Sequence, residues 1–112
     1  MKHVFYFILC LMAGNTSGQW SELGGQDALS ANQSIFSTCS DSLSNIYSAG
    51  DFTNSFGNRY VAKWDGLNWS ELGGQNNLKA NNSIYSICSD LRGKVYAAGS
   101  FTNDSGFFYV AQ

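Results

Sequence analysis

Residues 69–75 read Trp69-Ser70-Glu71-Leu72-Gly73-Gly74-Gln75, and residues 20–26 read the same seven residue types. The offset of 49 residues holds without a gap to the end of the sequence, and pairing 20–63 with 69–112 gives 26 identities in 44 positions. Self-similarity at a period of 20–50 residues is typical of solenoids, propellers and other repeat architectures. The sequence therefore predicts two copies of one structural unit.

Within one repeat, short apolar and β-branched runs alternate with turn signals, which predicts short strands rather than helices. Asp65-Gly66 favours a tight hairpin, because this pair accepts the positive φ that such a turn needs. Gly50 and Gly99 stand inside strands, where glycine permits a bulge or a close backbone approach. Trp69 recurs at the centre of the repeat and is expected to be buried. The predicted strands of the first repeat are 35–40, 46–52, 60–64 and 69–72.

The first 18 residues have the layout of a secretory signal peptide. Met1-Lys2-His3 is a positive start, residues 4–13 are apolar, and small residues follow up to Gly18. Ten apolar residues are too few to cross a bilayer, which needs about 20. The alternative is a buried N-terminal strand or helix. We predict a signal peptide over 1–18 with cleavage before Gln19, and Cys10 is then removed with it.

The charge balance argues against two classes of partner. The whole chain has six basic and eight acidic residues and a net charge of −2, and removal of Lys2 leaves five basic residues and a net charge of −3. These five are scattered, whereas nucleic-acid binding needs clustered Lys and Arg to neutralise phosphates. Anionic membrane surfaces are disfavoured for the same reason. We expect no nucleic acid and no membrane span.

Two sequence motifs carry a resemblance to a known family. Residues 46–54 read Ile-Tyr-x-Ala-Gly-x-Phe-Thr-Asn, and residues 60–73 read Tyr-Val-Ala-Lys-Trp-Asp-Gly-x-Asn-Trp-Ser-x-Leu-Gly. This pattern resembles the kelch-like β-propeller repeat of secreted bacterial proteins that carry type IX secretion sorting domains. The likeness covers 20–112 and implies all-β propeller blades of four antiparallel strands, in a protein that is secreted or displayed at the cell surface. The sequence departs from the family in having Ala-Gly where such repeats often have Gly-Gly, and no sorting domain occurs within it.

The strands expected from this resemblance do not complete a ring. Residues 20–24 correspond to the fourth strand of a blade, 35–73 to a full blade, and 84–112 to three strands of a partial blade. Propellers close with about 4–8 blades. Two repeats therefore predict an incomplete ring, and two explanations stay open. The sequence is part of a longer propeller, or identical chains complete the ring, three copies making six blades.

No catalytic or metal-binding pattern is found in the sequence. His3, the single histidine, lies in the predicted signal peptide, so histidine-based triads, bases and metal ligands are not expected in the mature chain. Asp41 and Asp90 are equivalent carboxylates that we interpret as turn formers, the alternatives being catalysis or calcium binding. Cys39 and Cys88 are interpreted as buried thiols, with a disulfide as the alternative. We predict no enzyme activity and no cofactor.

Aromatic side chains are the candidates for ligand or partner contact. Trp64, Tyr60 and Tyr109 are interpreted as core between blades, with stacking on sugar rings as the alternative. Phe107 and Phe108 replace Asn58 and Arg59 of the first repeat, which suggests an exposed apolar pair and a partner surface. The predicted function is a secreted interaction or scaffold module. The alternative is a small carbohydrate-binding lectin that assembles as a trimer of two-blade chains.

Overall fold

The structure, a computed structural model, describes residues 19–112, so the predicted signal peptide lies outside the described part. Those residues form an all-β fold with no helix, as the strand pattern predicted. Within this range there is accordingly no helical segment that could cross a membrane. The strands are β1 (Ile35–Ser40), β2 (Ile46–Gly50), β3 (Ala62–Trp64), β4 (Trp69–Glu71), β5 (Ile84–Ser89) and β6 (Val95–Gly99).

The first four strands form one antiparallel sheet in the order β1-β2-β3-β4, called the first sheet below. Each strand pairs with the one before it, so the sheet is a simple meander. β3 and β4 are joined by the predicted Asp65-Gly66 hairpin, in which Gly66 has a φ of 102°. The Asp65 carboxylate stabilises this turn by accepting hydrogen bonds from the backbone N–H groups of Leu67 and Asn68, at 2.9 and 2.8 Å.

The second repeat contributes the antiparallel pair β5-β6, called the second sheet. The expected third strand of 84–112 is reduced to a bridge in which Ala97 and Ala111 exchange two backbone hydrogen bonds, of 2.9 and 2.8 Å. Residues 20–24, expected as a fourth strand, form none, although they share their sequence with β4. A strand needs a hydrogen-bonding partner, and these residues pair with no strand in the described part of the chain.

Gly50 and Gly99 lie where two backbone segments approach closely. A Cβ atom on Gly99 would fall 2.9 Å from the Cα of Ile84 and closer still to the carbonyl oxygen of Ser83, and Gly50 stands in the same relation to Ser34. Beside each glycine the pairing register shifts by one residue, near the start of β1 and of β5. Both glycines therefore serve a bulge and a close approach together, which confirms the interpretation drawn from their place inside strands.

The two sheets pack against each other, with β5 lying over β1 and β2. The first repeat contributes Tyr47, Ala49 and Val61 to the shared core, and the second repeat contributes Ala80, Ile84, Ile87, Ala97 and Phe101. Two serine hydroxyls add polar contacts between the sheets. Ser37 Oγ accepts the backbone N–H of Ile87 at 3.1 Å, and Ser89 Oγ donates to the carbonyl of Ser40 at 2.6 Å. Neighbouring repeats thus bury each other's sheet faces, as repeat units do.

Candidate functional site

The carboxylates of Asp41 and Asp90 organise the turns that follow β1 and β5. Asp41 Oδ1 accepts the backbone N–H groups of Leu43 and Asn45, and its Oδ2 accepts the side-chain amide of Asn45 and the hydroxyl of Tyr47. The Asn45 amide, followed by the Tyr47 hydroxyl, lowers the pKa of Asp41 to about 2. Asp90 repeats the two backbone contacts and the tyrosine contact at an offset of 49 residues, while Lys94 stands in place of Asn45 and supplies no side-chain amide. These contacts fit turn formation, the interpretation preferred from the sequence over catalysis and calcium binding.

A polar cluster of Asp51, Arg59 and Ser83 joins the two repeats. Asp51 Oδ1 accepts the Ser83 hydroxyl at 2.7 Å and forms an ion pair of 3.0 Å with the Arg59 guanidinium. The Ser83 hydroxyl is the larger cause, and Arg59 the next, of the lowered pKa of Asp51. Arg59 also donates its backbone N–H to the carbonyl of Ala80 at 2.8 Å. Because every charged group in the cluster is paired within it, the arrangement serves to align the repeats.

Tyr60 and Tyr109 occupy equivalent, half-buried places. The Tyr60 ring meets the buried Phe52 edge to face at a centroid distance of 5.0 Å, and Tyr109 meets Phe101 in the same way at 4.9 Å. Burial, followed by the charge of Glu71, raises the pKa of Tyr60. One side of each tyrosine therefore supports the core, while the remaining exposed part is free for contact.

Trp64 and Trp69 face each other across β3 and β4, with ring centroids 5.7 Å apart. The Trp64 ring also lies against Gly24, and Trp69 Nε1 donates a 2.9 Å hydrogen bond to the carbonyl of Leu23. Trp69 is half-buried rather than buried, contrary to the expectation from its recurrence, because β4 is the last strand of its sheet and one side of the ring stays open. The two tryptophans hold the segment before β1 onto the first sheet.

Phe107 and Phe108 are both largely exposed. They follow a turn in which Asn103 Oδ1 accepts the backbone N–H groups of Ser105 and Phe107, each at 3.0 Å. The turn is local and holds the pair in a fixed place. In the first repeat the same positions carry polar residues, so this apolar pair is a difference between otherwise similar units.

A small cavity of about 190 Å³ brings one predicted aromatic residue together with polar groups. The rings of Tyr60 and Trp69 line it with the amide of Asn54 and the carboxylate of Glu71. Asn54 Nδ2 lies 3.3 Å from both oxygens of Glu71, and Asn76 donates its backbone N–H to the same carboxylate at 2.7 Å. Aromatic faces beside amide and carboxylate groups can stack on and hydrogen-bond a polar ring.

The sequence analysis did not single out Asn54, Glu71 or Trp69 as cavity residues. Asn54 and Asn103 are conspicuous only as repeat-equivalent loop residues, and Trp69 was assigned to the core. The structure brings Tyr60 to this cavity, whereas Trp64, Tyr109 and the phenylalanine pair line other surfaces. A signal was present in the repeated Trp-Ser-Glu of β4, because alternation along a strand places Trp69 and Glu71 on one face.

A second cavity, of about 360 Å³, lies between the two repeats and has mainly apolar walls. Val61, Leu72 and Leu78 line one side, and Val95, Ala97 and Ala111 line the other. This cavity lies next to the shared core, at the side of the second sheet where Ala111 forms a single bridge with Ala97.

The two cysteines are free thiols. Cys39 is half-buried, and burial is the main cause of its raised pKa. Cys88 is exposed, which corrects the expectation that both are buried. It lies next to Ile87 in β5, and because successive side chains of a strand point to opposite faces, the inward direction of Ile87 turns Cys88 outward.

In the described residues 19–112, no three His, Cys, Asp or Glu side chains gather as a metal ion would require. Comparison of the chain with protein-family models, with curated proteins and with solved structures found no match in any of the three.

Proposed function

We propose that the chain is an exported, non-enzymatic segment of a kelch-like β-propeller that acts as an interaction or scaffold module. The 49-residue offset seen in strands, bulged glycines and carboxylate-bonded turns supports blades of one design. The observation that carries the interaction role is the exposed pair Phe107 and Phe108, which stands where the first repeat has Asn58 and Arg59. The framework is repeated while this surface is not, and adjacent exposed apolar groups, unlike single exposed ones, mark contact sites.

Photo-crosslinking tests this role. A photoreactive phenylalanine analogue is placed at Phe107 and, as a matched control, at Leu43, an exposed residue in the turn after β1. We expect a specific protein adduct from position 107 and none from position 43, and loss of that partner's binding in Phe108→Ser. Equal labelling from both positions, or no adduct from position 107, would contradict the proposal.

Export is tested separately by sequencing the N-terminus of the chain recovered outside the cytoplasm. The expected first residue is Gln19. A recovered chain that still begins at Met1 would show that residues 1–18 are no cleaved signal.

A second candidate is carbohydrate binding at the cavity of Tyr60 and Trp69. The observation that favours it is the presence of two aromatic rings beside Asn54 and Glu71 in a space of about 190 Å³. Aromatic rings offer a flat apolar face. The Asn54 amide is engaged by Glu71, Asn76 and its own loop, but the Glu71 carboxylate keeps acceptor capacity for the hydroxyls on the edge of a sugar. This candidate agrees with the lectin alternative drawn from the sequence.

The carbohydrate candidate is tested by saturation-transfer NMR with glucose, galactose and N-acetylglucosamine as probes. We expect transfer to at least one sugar in the unmodified chain and in Phe107→Ser, and its loss in Glu71→Gln, which keeps the size of the side chain. Transfer that survives Glu71→Gln, or no transfer to any of the three sugars, would remove this candidate.

A further inference from the structure

The interface between the two repeats uses two different faces, and each has an uncovered equivalent elsewhere. On the first repeat the buried face carries Tyr47, Ala49 and Val61. Its equivalent on the second repeat, called the Val110 face, carries Tyr96, Ala98 and Val110. Val61 is 4% exposed, whereas Val110 is 67% exposed. Tyr96 and Ala98 are likewise only half-buried. The second repeat therefore exposes a surface whose equivalent on the first repeat is buried in the interface.

The other face of the interface is buried on the second repeat, and its equivalent on the first repeat is exposed. On the second repeat it consists of Ala80, Ile84 and Ile87, all buried against the first sheet. The equivalent on the first repeat, the Ile35 face, consists of Ala31, Ile35 and Thr38. Ile84 is 0% exposed and Ile35 is 47% exposed. The described residues thus leave both the Val110 face and the Ile35 face exposed. These two faces are equivalent to the two faces that pack together between the repeats, so they are complementary to each other.

A strand edge is also open beside the Val110 face. In the first sheet β4 pairs with β3, and Leu72 donates its backbone N–H to the carbonyl of Val61 at 2.8 Å. Ala111 bonds to Ala97 on one side, and no strand of the described residues pairs with its other side. Residues 20–23 repeat the sequence of β4 without a strand partner, and Trp20 is 98% exposed.

We propose that a second copy of this chain covers the Val110 face with its Ile35 face and adds its residues 20–23 to the edge at 110–112. By equivalence with β3 and β4, Leu23 of the second copy donates its backbone N–H to the carbonyl of Val110, and its Glu22 lies opposite Ala111. Strand addition supplies main-chain hydrogen bonds, and the two apolar faces supply the burial. The cavity that borders Ala111 leaves space beside this edge for the Trp20 ring.

This contact joins two different faces, so it is head-to-tail and leads to a closed ring or to an open chain of copies. With two repeats per chain, a ring of about 4–8 blades contains about two to four copies. Phe108 is the counterpart of Arg59, whose backbone N–H bonds to Ala80 across the inner interface. The proposed partner would therefore also cover Phe108. The inference rests on the proposed function and names the partner of that surface.

Light scattering on purified residues 19–112, the chain expected after cleavage before Gln19, tests the inference, with far-UV circular dichroism as a check on folding. We expect about two to four copies per particle for the unmodified chain and a monomer for Val110→Asp. Leu91→Asp, which places the same charge on an exposed turn residue away from both faces, should keep the assembly. Ile35→Asp should also be monomeric.

Mixing the two variants distinguishes head-to-tail contact from other association. Val110→Asp keeps its Ile35 face, and Ile35→Asp keeps its Val110 face, so their mixture should form dimers and nothing larger. A monomeric unmodified chain, a mixture that stays monomeric, or Leu91→Asp behaving like Val110→Asp would each overturn the inference. A photo-crosslink from position 107 to a different protein would overturn it while leaving the proposed function intact.

Discussion

Replacement of Gly99 by alanine should destabilise the fold by about 2–4 kcal/mol. The new Cβ would lie 2.9 Å from the Ile84 Cα and from the Tyr85 backbone nitrogen, and closer to the Ser83 carbonyl oxygen. Carbon atoms in contact prefer about 3.5–4.0 Å, so the backbone at Ile84 must move by roughly 0.6–1.1 Å, and the nearer Ser83 carbonyl oxygen must move further. Overpacking of this kind costs about 1–3 kcal/mol. The movement also disturbs the 2.9 Å hydrogen bond from Ser100 to Ser83, worth about 1 kcal/mol.

Two further substitutions provide the comparison. Gly50→Ala meets the same kind of contact, but its neighbour Ser34 is exposed whereas Ser83 is buried between the repeats. The exposed segment can move away, so we expect a smaller loss of about 2 kcal/mol. Gly93→Ala introduces a Cβ into open space at a φ of 84°, which isolates the cost of a left-handed conformation, about 1–2 kcal/mol.

Urea unfolding at a single protein concentration measures these differences, since any association shifts apparent stability with concentration. The expected order of loss is Gly99→Ala, then Gly50→Ala, then Gly93→Ala. A loss for Gly99→Ala no larger than that for Gly93→Ala would refute the argument, because the crowded backbone at β5 would then have accommodated a methyl group freely.

Two other changes have definite expected outcomes. Trp69→Phe should lower the free energy of unfolding by about 1 kcal/mol, measured by urea unfolding, because it removes the hydrogen bond to Leu23; an unchanged midpoint would show that this bond contributes nothing. The pKa of Asp41 in the folded chain is about 2, below the usual value of 3.8. Its carboxylate therefore stabilises the fold fully at pH values above 3.8, and this stabilisation is lost as the pH falls toward 2. Asp41→Asn should therefore be less stable at pH 7 but lose less stability on acidification than the unmodified chain, with Asp104→Asn as a control of equal charge change. Identical acid dependence of the two variants would contradict this.

The repeat made much of the first sheet predictable from sequence. β1 begins and ends where the apolar run indicated, and Gly50 and Gly99 could be interpreted together because the same residue stood at the same place twice. The predicted second, third and fourth strands are shorter in the structure. Phe52 was counted as part of a strand because it is apolar, but it reaches full burial from the loop after β2, where pairing is not required.

Features that depend on distant partners could not be predicted. Residues 20–23 and 69–72 have one sequence and two conformations, because only the second set follows a hairpin that supplies a strand to pair with. The cavity residue Glu71 was likewise not predicted. Its role depends on Asn54 and Asn76, which reach it from separate loops. The sequence pattern predicts a strand and which of its side chains share a face. The residues that contact that face come from distant parts of the chain and cannot be predicted from the pattern.

The carboxylate-bonded turns have a consequence for the order of events in folding. Asp41 accepts hydrogen bonds from groups two to six residues away, whereas the hydrogen bonds between the sheets join residues 49 or 50 apart. Each doubling of loop length adds about 0.6 kcal/mol of closure entropy, so docking of the sheets carries about 2 kcal/mol more than closing a hairpin. We expect each hairpin to form first and the sheets to dock afterwards. Changes at Asp41 should then slow folding, whereas changes at Ser37 should mainly speed unfolding.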